Sequence, residues 1–308
     1  MLRRGQAFCH IGGLMKIQGI FPALTTCFDE EGAVSKAKTG HNIQKLNKIA
    51  LSGYVVCGST GETPLLSTEE RMQLMQWVSE SAAPGKTLIA GVGAESVHET
   101  VRLAARAADA GFHAALVLSP FYYRVQMHKP DLQLLFFRSV ADRSKLPVLL
   151  YNIPQVTGYD LPVDVIAALS HHPNIIGMKD SSGNVEKLKD TVRAVKPGFQ
   201  VLSGAGVNFL DALHGGATGA ILALANALPY ACVTVWEAFR TREYEAGQDW
   251  QTRIGPAGRL IATKHGIPGL KYAMELNGYY GGPPRLPFLP PSAEAKAEIE
   301  QTFDGLRS

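Results

Sequence analysis

The chain has 308 residues, 46% of them hydrophobic and 19% charged, which allows a large core and excludes a disordered polymer. Its 30 Lys and Arg against 27 Asp and Glu leave a formal charge of +3 with no run of five or more like charges, which excludes the clustered basic surface of a nucleic-acid binder. No stretch of about 18 apolar residues occurs, so no membrane span is expected, and the spacing of Cys9, Cys27, Cys57 and Cys232 fits neither a CxxC redox motif nor a zinc site; reduced thiols in a cytoplasm follow.

Residues 1–16, with Arg3 and Arg4 and too little apolar content for a signal-peptide core, read as a loose tail. Short apolar runs then recur at 19–25, 54–57, 87–91, 114–118, 147–151, 175–179, 199–202 and 219–222. They are rich in Val, Ile and Leu and nearly continuous in apolarity, as suits strands buried on both faces of a parallel sheet. Gln200 makes the seventh the least regular. Helical patterns lie between them. Ser67 with Glu70 three residues on reads as a capping box, the pattern 96–110 opens on a serine and stops at Gly111, and 130–142, 162–169 and 184–195 follow. The glycine fingerprint GxGxxG of a doubly wound dinucleotide fold is absent after the first strand. Eight strands alternating with helices predict a (β/α)8 TIM barrel over residues 17–227. Beyond it only helical patterns occur, at 229–239, 244–264, 270–276 and 293–302, which predicts a C-terminal helical extension, 228–308, packed on the barrel.

Sites on such barrels lie where the strands end. Lys179 ends the sixth run, and alternation puts Ile175, Gly177 and Lys179 on one face, with Gly177 leaving room beneath the lysine for a bound molecule. A free lysine titrates near ~10.4, so the attacking neutral amine is scarce at pH 7, and burial favours it. The alternative is a lysine that snorkels out or pairs with Asp180. Tyr151 ends the neighbouring fifth run, where its phenol can pass protons beside an imine. The turn Cys57-Gly58-Ser59-Thr60-Gly61-Glu62 after the second run offers hydroxyls and backbone N–H groups to a carboxylate; alone it is also an ordinary loop, as are Gly91-Val92-Gly93 and Gly204-Ala205-Gly206. Cys57 reads as a buried strand residue, His171-His172 as a helix end, Tyr279-Tyr280 as packing, and no metal-ligand set occurs. No cofactor is expected.

With Gly58 to Glu62, Tyr151-Asn152-Ile153-Pro154 and Gly177-Met178-Lys179-Asp180 in order, the chain resembles the dihydrodipicolinate synthase / N-acetylneuraminate lyase family over about residues 17–305. The resemblance implies a homotetrameric barrel that forms an imine with pyruvate. It implies Lys179 as the Schiff-base residue, Tyr151 as its proton-transfer partner, and Ser59 and Thr60 as the hydroxyl pair that binds the pyruvate carboxylate. Tyr122, or Tyr123 if the match slips by one, corresponds to a tyrosine inserted into a neighbouring subunit's site, and Ile221 to a backbone contact with pyruvate. Dihydrodipicolinate synthases carry an arginine in the loop after the catalytic tyrosine, where this chain has Val156. The segments Leu161-Pro162-Val163-Asp164, His172-Pro173-Asn174-Ile175, Lys264 to Lys271 and Gly278 to Pro283 are similar to those of 4-hydroxy-2-oxoglutarate aldolases. Three readings follow: an aldolase cleaving a 4-hydroxy-2-oxo acid to pyruvate and an aldehyde, a synthase condensing pyruvate with aspartate semialdehyde, and a catalytically silent 2-oxo-acid sensor.

Overall fold

A computed structural model describes residues 15–306; the expected tail up to residue 14, with Cys9, lies outside them. Eight parallel strands run in chain order: β1 (Gly19–Pro22), β2 (Gly53–Val56), β3 (Thr87–Gly91), β4 (Ala114–Leu118), β5 (Val148–Asn152), β6 (Ile175–Asp180), β7 (Gln200–Ser203) and β8 (Gly219–Leu222). β8 pairs with β1, and a parallel bridge from Ala23 to Val55 joins β1 to β2. The ring is a TIM barrel.

Between the strands lie α1 (Lys36–Leu46), α2 (Thr68–Ser81), α3 (Val97–Asp109), α4 (Arg124–Met127), α5 (Pro130–Arg143), α6 (Pro154–Thr157), α7 (Val163–Ser170), α8 (Val185–Ala194) and α9 (Phe209–His214). Local chemistry sets the predicted boundaries. Ser67 and Glu70 form the expected capping box on α2, Ser96 caps α3, and Gly111 follows α3 at φ +86, which a side chain would resist. α1 goes unforeseen because it is polar: only Ile43 and Leu46 are apolar among its buried positions, beside Thr39 and Asn42. After β8 come α10 (Pro229–Thr241), α11 (Tyr244–Arg259), a π-helical turn (Leu260–His265), α12 (Gly266–Leu276) and α13 (Ala293–Phe303). The predicted single helix 244–264 thus ends in a wider turn that re-aims the chain into α12. α10 lies against β1, where Trp236 approaches Gly19, so it completes the outer ring of helices as well as opening the C-terminal segment.

Side chains fill the barrel in two sets. Phe21, Val55, Ile89, Leu116, Leu149, Leu202 and Ile221 pack inside the ring, while Ile20, Val56, Leu88, Val117, Leu150, Met178, Val201 and Leu222 pack against the helices. Each fully buried Leu or Ile contributes roughly 1.5–3 kcal/mol. Gln200 does not break its strand. At the floor it accepts from the Ile17 N–H and donates to the Met15 carbonyl at 2.9 Å, so residues 15 and 16, expected in a loose tail, are fastened to the barrel. Strict alternation fails on β6. Val148 pairs with Ile175 but Leu149 pairs with Gly177, so Ile176 is an inserted residue. Ile175 therefore faces the helices and Ile176 the interior, contrary to the predicted shared face of Ile175, Gly177 and Lys179; Lys179 itself still points inward beside Tyr151.

Candidate active site

Tyr151 and Lys179 are register partners at the ends of β5 and β6, and each is 4% exposed. The Lys179 Nζ donates to Tyr151 Oη at 3.3 Å and lies 4.3 Å from the centre of its ring. Lys179 makes no ion pair among the described residues. Asp180, the alternative partner, instead accepts from Asn152 Nδ2 at 2.7 Å and Ser182 Oγ at 2.7 Å. A second hydroxyl meets the phenol, Ser59 Oγ at 3.4 Å, and Ser181 adds a third hydrogen bond. Burial works to raise the Tyr151 phenol, but the neighbouring Lys179 charge and the bonds from Ser59, Ser181 and Lys179 outweigh it and hold the phenol below its ordinary value. An amine, a phenol held below its ordinary pKa and a serine in series can form an imine and move a proton beside it.

The room for this lysine comes from a glycine that the sequence reading left in a plain loop. A Cβ on Gly204 would stand 2.8 Å from Lys179 Cε and 1.9 Å from Ser181 Oγ. Gly177 makes no space for a ligand: its missing Cβ would meet Gln200 O at 2.3 Å and Leu149 Cδ2 at 3.0 Å, so it serves close strand approach.

The hydroxyl loop is a tight, strained turn. Cys57 leaves β2 at φ 57, Ser59–Gly61 form one 3-10 turn, and Glu62 ends it at φ 55. Gly61 N–H bonds Gly58 O and Glu62 N–H bonds Ser59 O, so the amides left to a ligand are those of Ser59 and Thr60. Burial pushes the Cys57 thiol up to about 12, which fits an inert strand-end residue.

Far-off residues brace the loop. Glu62 is fully buried, pairs with Lys271 Nζ at 2.7 Å and accepts from the Arg285 N–H at 2.9 Å. Lys271 also donates to Pro283 O at 2.8 Å, and Arg285 binds Glu70 through both terminal nitrogens. Burial lowers the Lys271 ammonium even though Glu62 pulls the other way. Sequence reasoning missed this set, as it missed Ser181. The motif Lys264 to Lys271 was visible, but nothing in it names a partner 209 positions earlier.

Above the strand ends opens a cavity of about 430 Å³ whose wall includes Ser59, Tyr151, Val156, Arg71 and Glu95. Lys179 and Thr60 are not part of that wall; the amine lies against the Tyr151 ring, and Thr60 is half-buried beside Ser59. Ile221 has its side chain in the barrel core. Tyr122 is 76% exposed on the loop after β4, edge-on to Tyr123 at 5.1 Å, and does not reach its own chain's cavity. No group of three or more His, Cys, Asp or Glu among the described residues is arranged to hold a metal.

A TIM barrel with a buried amine and a phenol at its mouth is the class of protein that the fold and site define, and the sequence comparisons specify the family. The profile of the Dihydrodipicolinate synthetase family matches residues 16–305. A probable mitochondrial 4-hydroxy-2-oxoglutarate aldolase of Emericella nidulans is 37% identical over 292 residues, covering 93% of this chain and 94% of the relative. A 4-hydroxy-tetrahydrodipicolinate synthase of Methanothrix thermoacetophila is 35% identical over 290 residues, covering 93% and 96%. Among solved structures, a prophage protein of the dihydrodipicolinic acid synthase family from E. coli K12, in complex with pyruvate, superposes with a TM-score of 0.87 at 29% identity, covering 94% of this chain and 98% of that one. The chain belongs to the dihydrodipicolinate synthetase family and is a lyase of the aldolase type. No helix among the described residues is long and apolar enough to cross a membrane.

Proposed function

We propose that this lyase cleaves a 4-hydroxy-2-oxo acid, with 4-hydroxy-2-oxoglutarate as the substrate favoured, into pyruvate and an aldehyde through an imine on Lys179. The observation that carries the reading is the Lys179–Tyr151–Ser59 series at the barrel mouth. The Lys179 amine adds to the C2 carbonyl, and the carbinolamine takes a proton from the Tyr151 hydroxyl and loses water, leaving a protonated imine and Tyr151 as phenolate. Tyr151, as phenolate, takes the C4 hydroxyl proton; the C3–C4 bond breaks, its electrons enter the imine as an enamine, and the aldehyde leaves. The enamine takes a proton at C3, water hydrolyses the imine, and pyruvate departs from the restored amine. Ser59 passes protons to Tyr151 and, with Thr60, holds the substrate's first carboxylate, while the Ile221 backbone touches the pyruvate unit. Tyr122 completes a neighbouring subunit's site in a homotetramer, a role its exposure supports. Among the described residues Cys27, Cys57 and Cys232 are free and buried, which supports a reducing compartment, the cytoplasm.

Two experiments test this. Incubation with pyruvate and borohydride followed by peptide mass spectrometry labels Lys179; a label on another lysine with Lys179 unmodified overturns the assignment. Pyruvate release from 4-hydroxy-2-oxoglutarate is then compared with condensation onto aspartate semialdehyde. The second reading, a synthase for that condensation, is favoured by the name of the 35% identical relative. Val156 in the cavity wall, where synthases hold an arginine, argues for cleavage instead.

A further inference from the structure

The cavity that contains Tyr151 and Val156 also contains Arg71, the one permanent cation among the described residues of its wall. Arg71 projects from α2 and is 9% exposed. A guanidinium has five N–H donors. Its guanidinium donates from Nη2 to Gly91 O at 3.0 Å and bonds the Cys57 side chain, and its Nε has no partner. The Glu99 charge favours the Arg71 cation, but no ion pair to Arg71 forms among the described residues, and the nearby carboxylates bond other groups. Glu62 pairs with Lys271, Glu95 accepts the N–H of Tyr122 at 3.0 Å and that of Phe121 at 3.2 Å, and Glu99 is held by Arg102 at 2.7 Å through both oxygens. A cation removed from water without a counter-ion is costly unless an anion arrives, and a carboxylate fits the guanidinium fork.

We propose that Arg71 is the receptor for the second carboxylate of a dicarboxylic 4-hydroxy-2-oxo acid, holding the end of the substrate that leaves on the aldehyde. This rests on the aldolase reading above. The loop after Tyr151 contributes apolar Val156 to the cavity wall, and the positive charge enters the cavity from α2. The first carboxylate stays with the Ser59–Thr60 turn, next to the carbon that Lys179 attacks. Arg71 is therefore a specificity residue, and the chemical step does not run through it.

The test compares 4-hydroxy-2-oxoglutarate with 4-hydroxy-2-oxopentanoate, which lacks the second carboxylate, in wild type, Arg71→Met and Arg71→Lys. Losing a charge-assisted contact should raise KM for the dicarboxylate roughly 10- to 100-fold in Arg71→Met, with a far smaller change for the monocarboxylate and a partial recovery in Arg71→Lys. Parallel losses on both substrates, or none on either, overturn the proposal. So does a wild type that prefers the monocarboxylate, although the aldolase reading then stands. Release of pyruvate from neither substrate sinks the aldolase reading itself. Pyruvate–borohydride trapping at Lys179 reports that each variant is folded. If Arg71→Met does not fold, inhibition of wild type and Arg71→Lys by 2-oxoglutarate and 2-oxobutyrate decides. Wild type should favour 2-oxoglutarate and Arg71→Lys much less so, and equal ratios in the two proteins overturn the assignment.

Discussion

At the scale of single residues, the phenol of Tyr151 is tuned by what touches it. Its depressed pKa means that the phenolate form appears at lower pH than in a free tyrosine, so a cleavage step needing that phenolate should speed up as pH rises through this value. Ser59→Ala removes one bond that favours the anion, raises the pKa and should move the rising limb of the kcat–pH profile to higher pH; an unmoved limb would detach Ser59 from the proton path. Gly204→Ala tests the space beside the lysine. Its methyl would collide with Lys179 Cε and Ser181 Oγ, so imine trapping with pyruvate should fall at least about tenfold, for a stability loss of about 1–3 kcal/mol by thermal unfolding. Lys179 and Tyr151 are readable in the chain because each ends an apolar run. Gly204 and Ser181 are not, because a glycine's value depends on what crosses in front of it.

Among the elements, the capped helices α2 and α3 and the eight strands are legible because their signals are local: a serine with a glutamate three residues on, a glycine past the last turn, a run of β-branched residues. The β6 bulge is not, since an inserted residue shows only against the register of β5. The bracing of the hydroxyl loop by Lys271 of α12 and by Arg285 beyond it is equally hidden; Arg285 reaches Glu62 across 223 positions. That brace makes a stability prediction. Lys271→Met leaves the Glu62 carboxylate buried without its cation and should cost roughly 3–5 kcal/mol in denaturant unfolding. Adding Glu62→Gln should recover part of that loss, and strictly additive effects would show that the two side chains do not interact.

For the whole molecule, the exposed Tyr122, Tyr123 and Val125 form an apolar surface at the barrel mouth that a neighbouring subunit can cover. If Tyr122 serves a partner's site, Tyr122→Ala should lose activity with little loss of stability. Co-expression of Tyr122→Ala chains with Lys179→Met chains should restore activity, because a mixed dimer rebuilds one site with both groups. Light scattering should report a tetramer, and mixing that restores nothing would place Tyr122 outside the partner's site.

By itself the sequence determined the barrel class, the order of its strands, the caps of its helices and the pairing of an amine with a phenol, since hydrophobic period and end signals act over a few residues and neighbouring parallel strands bring their ends together. Tertiary structure alone decided that Gly204 makes room for Lys179 while Gly177 serves strand approach and leaves no space for a ligand, that Ile176 is extra, that Gln200 anchors residues 15–17, and that Glu62 is held by Lys271 and Arg285 while Arg71 has no ion pair among the described residues. Those outcomes depend on distances between groups far apart in the chain, and closing the ring is what brings such groups within a hydrogen bond of one another.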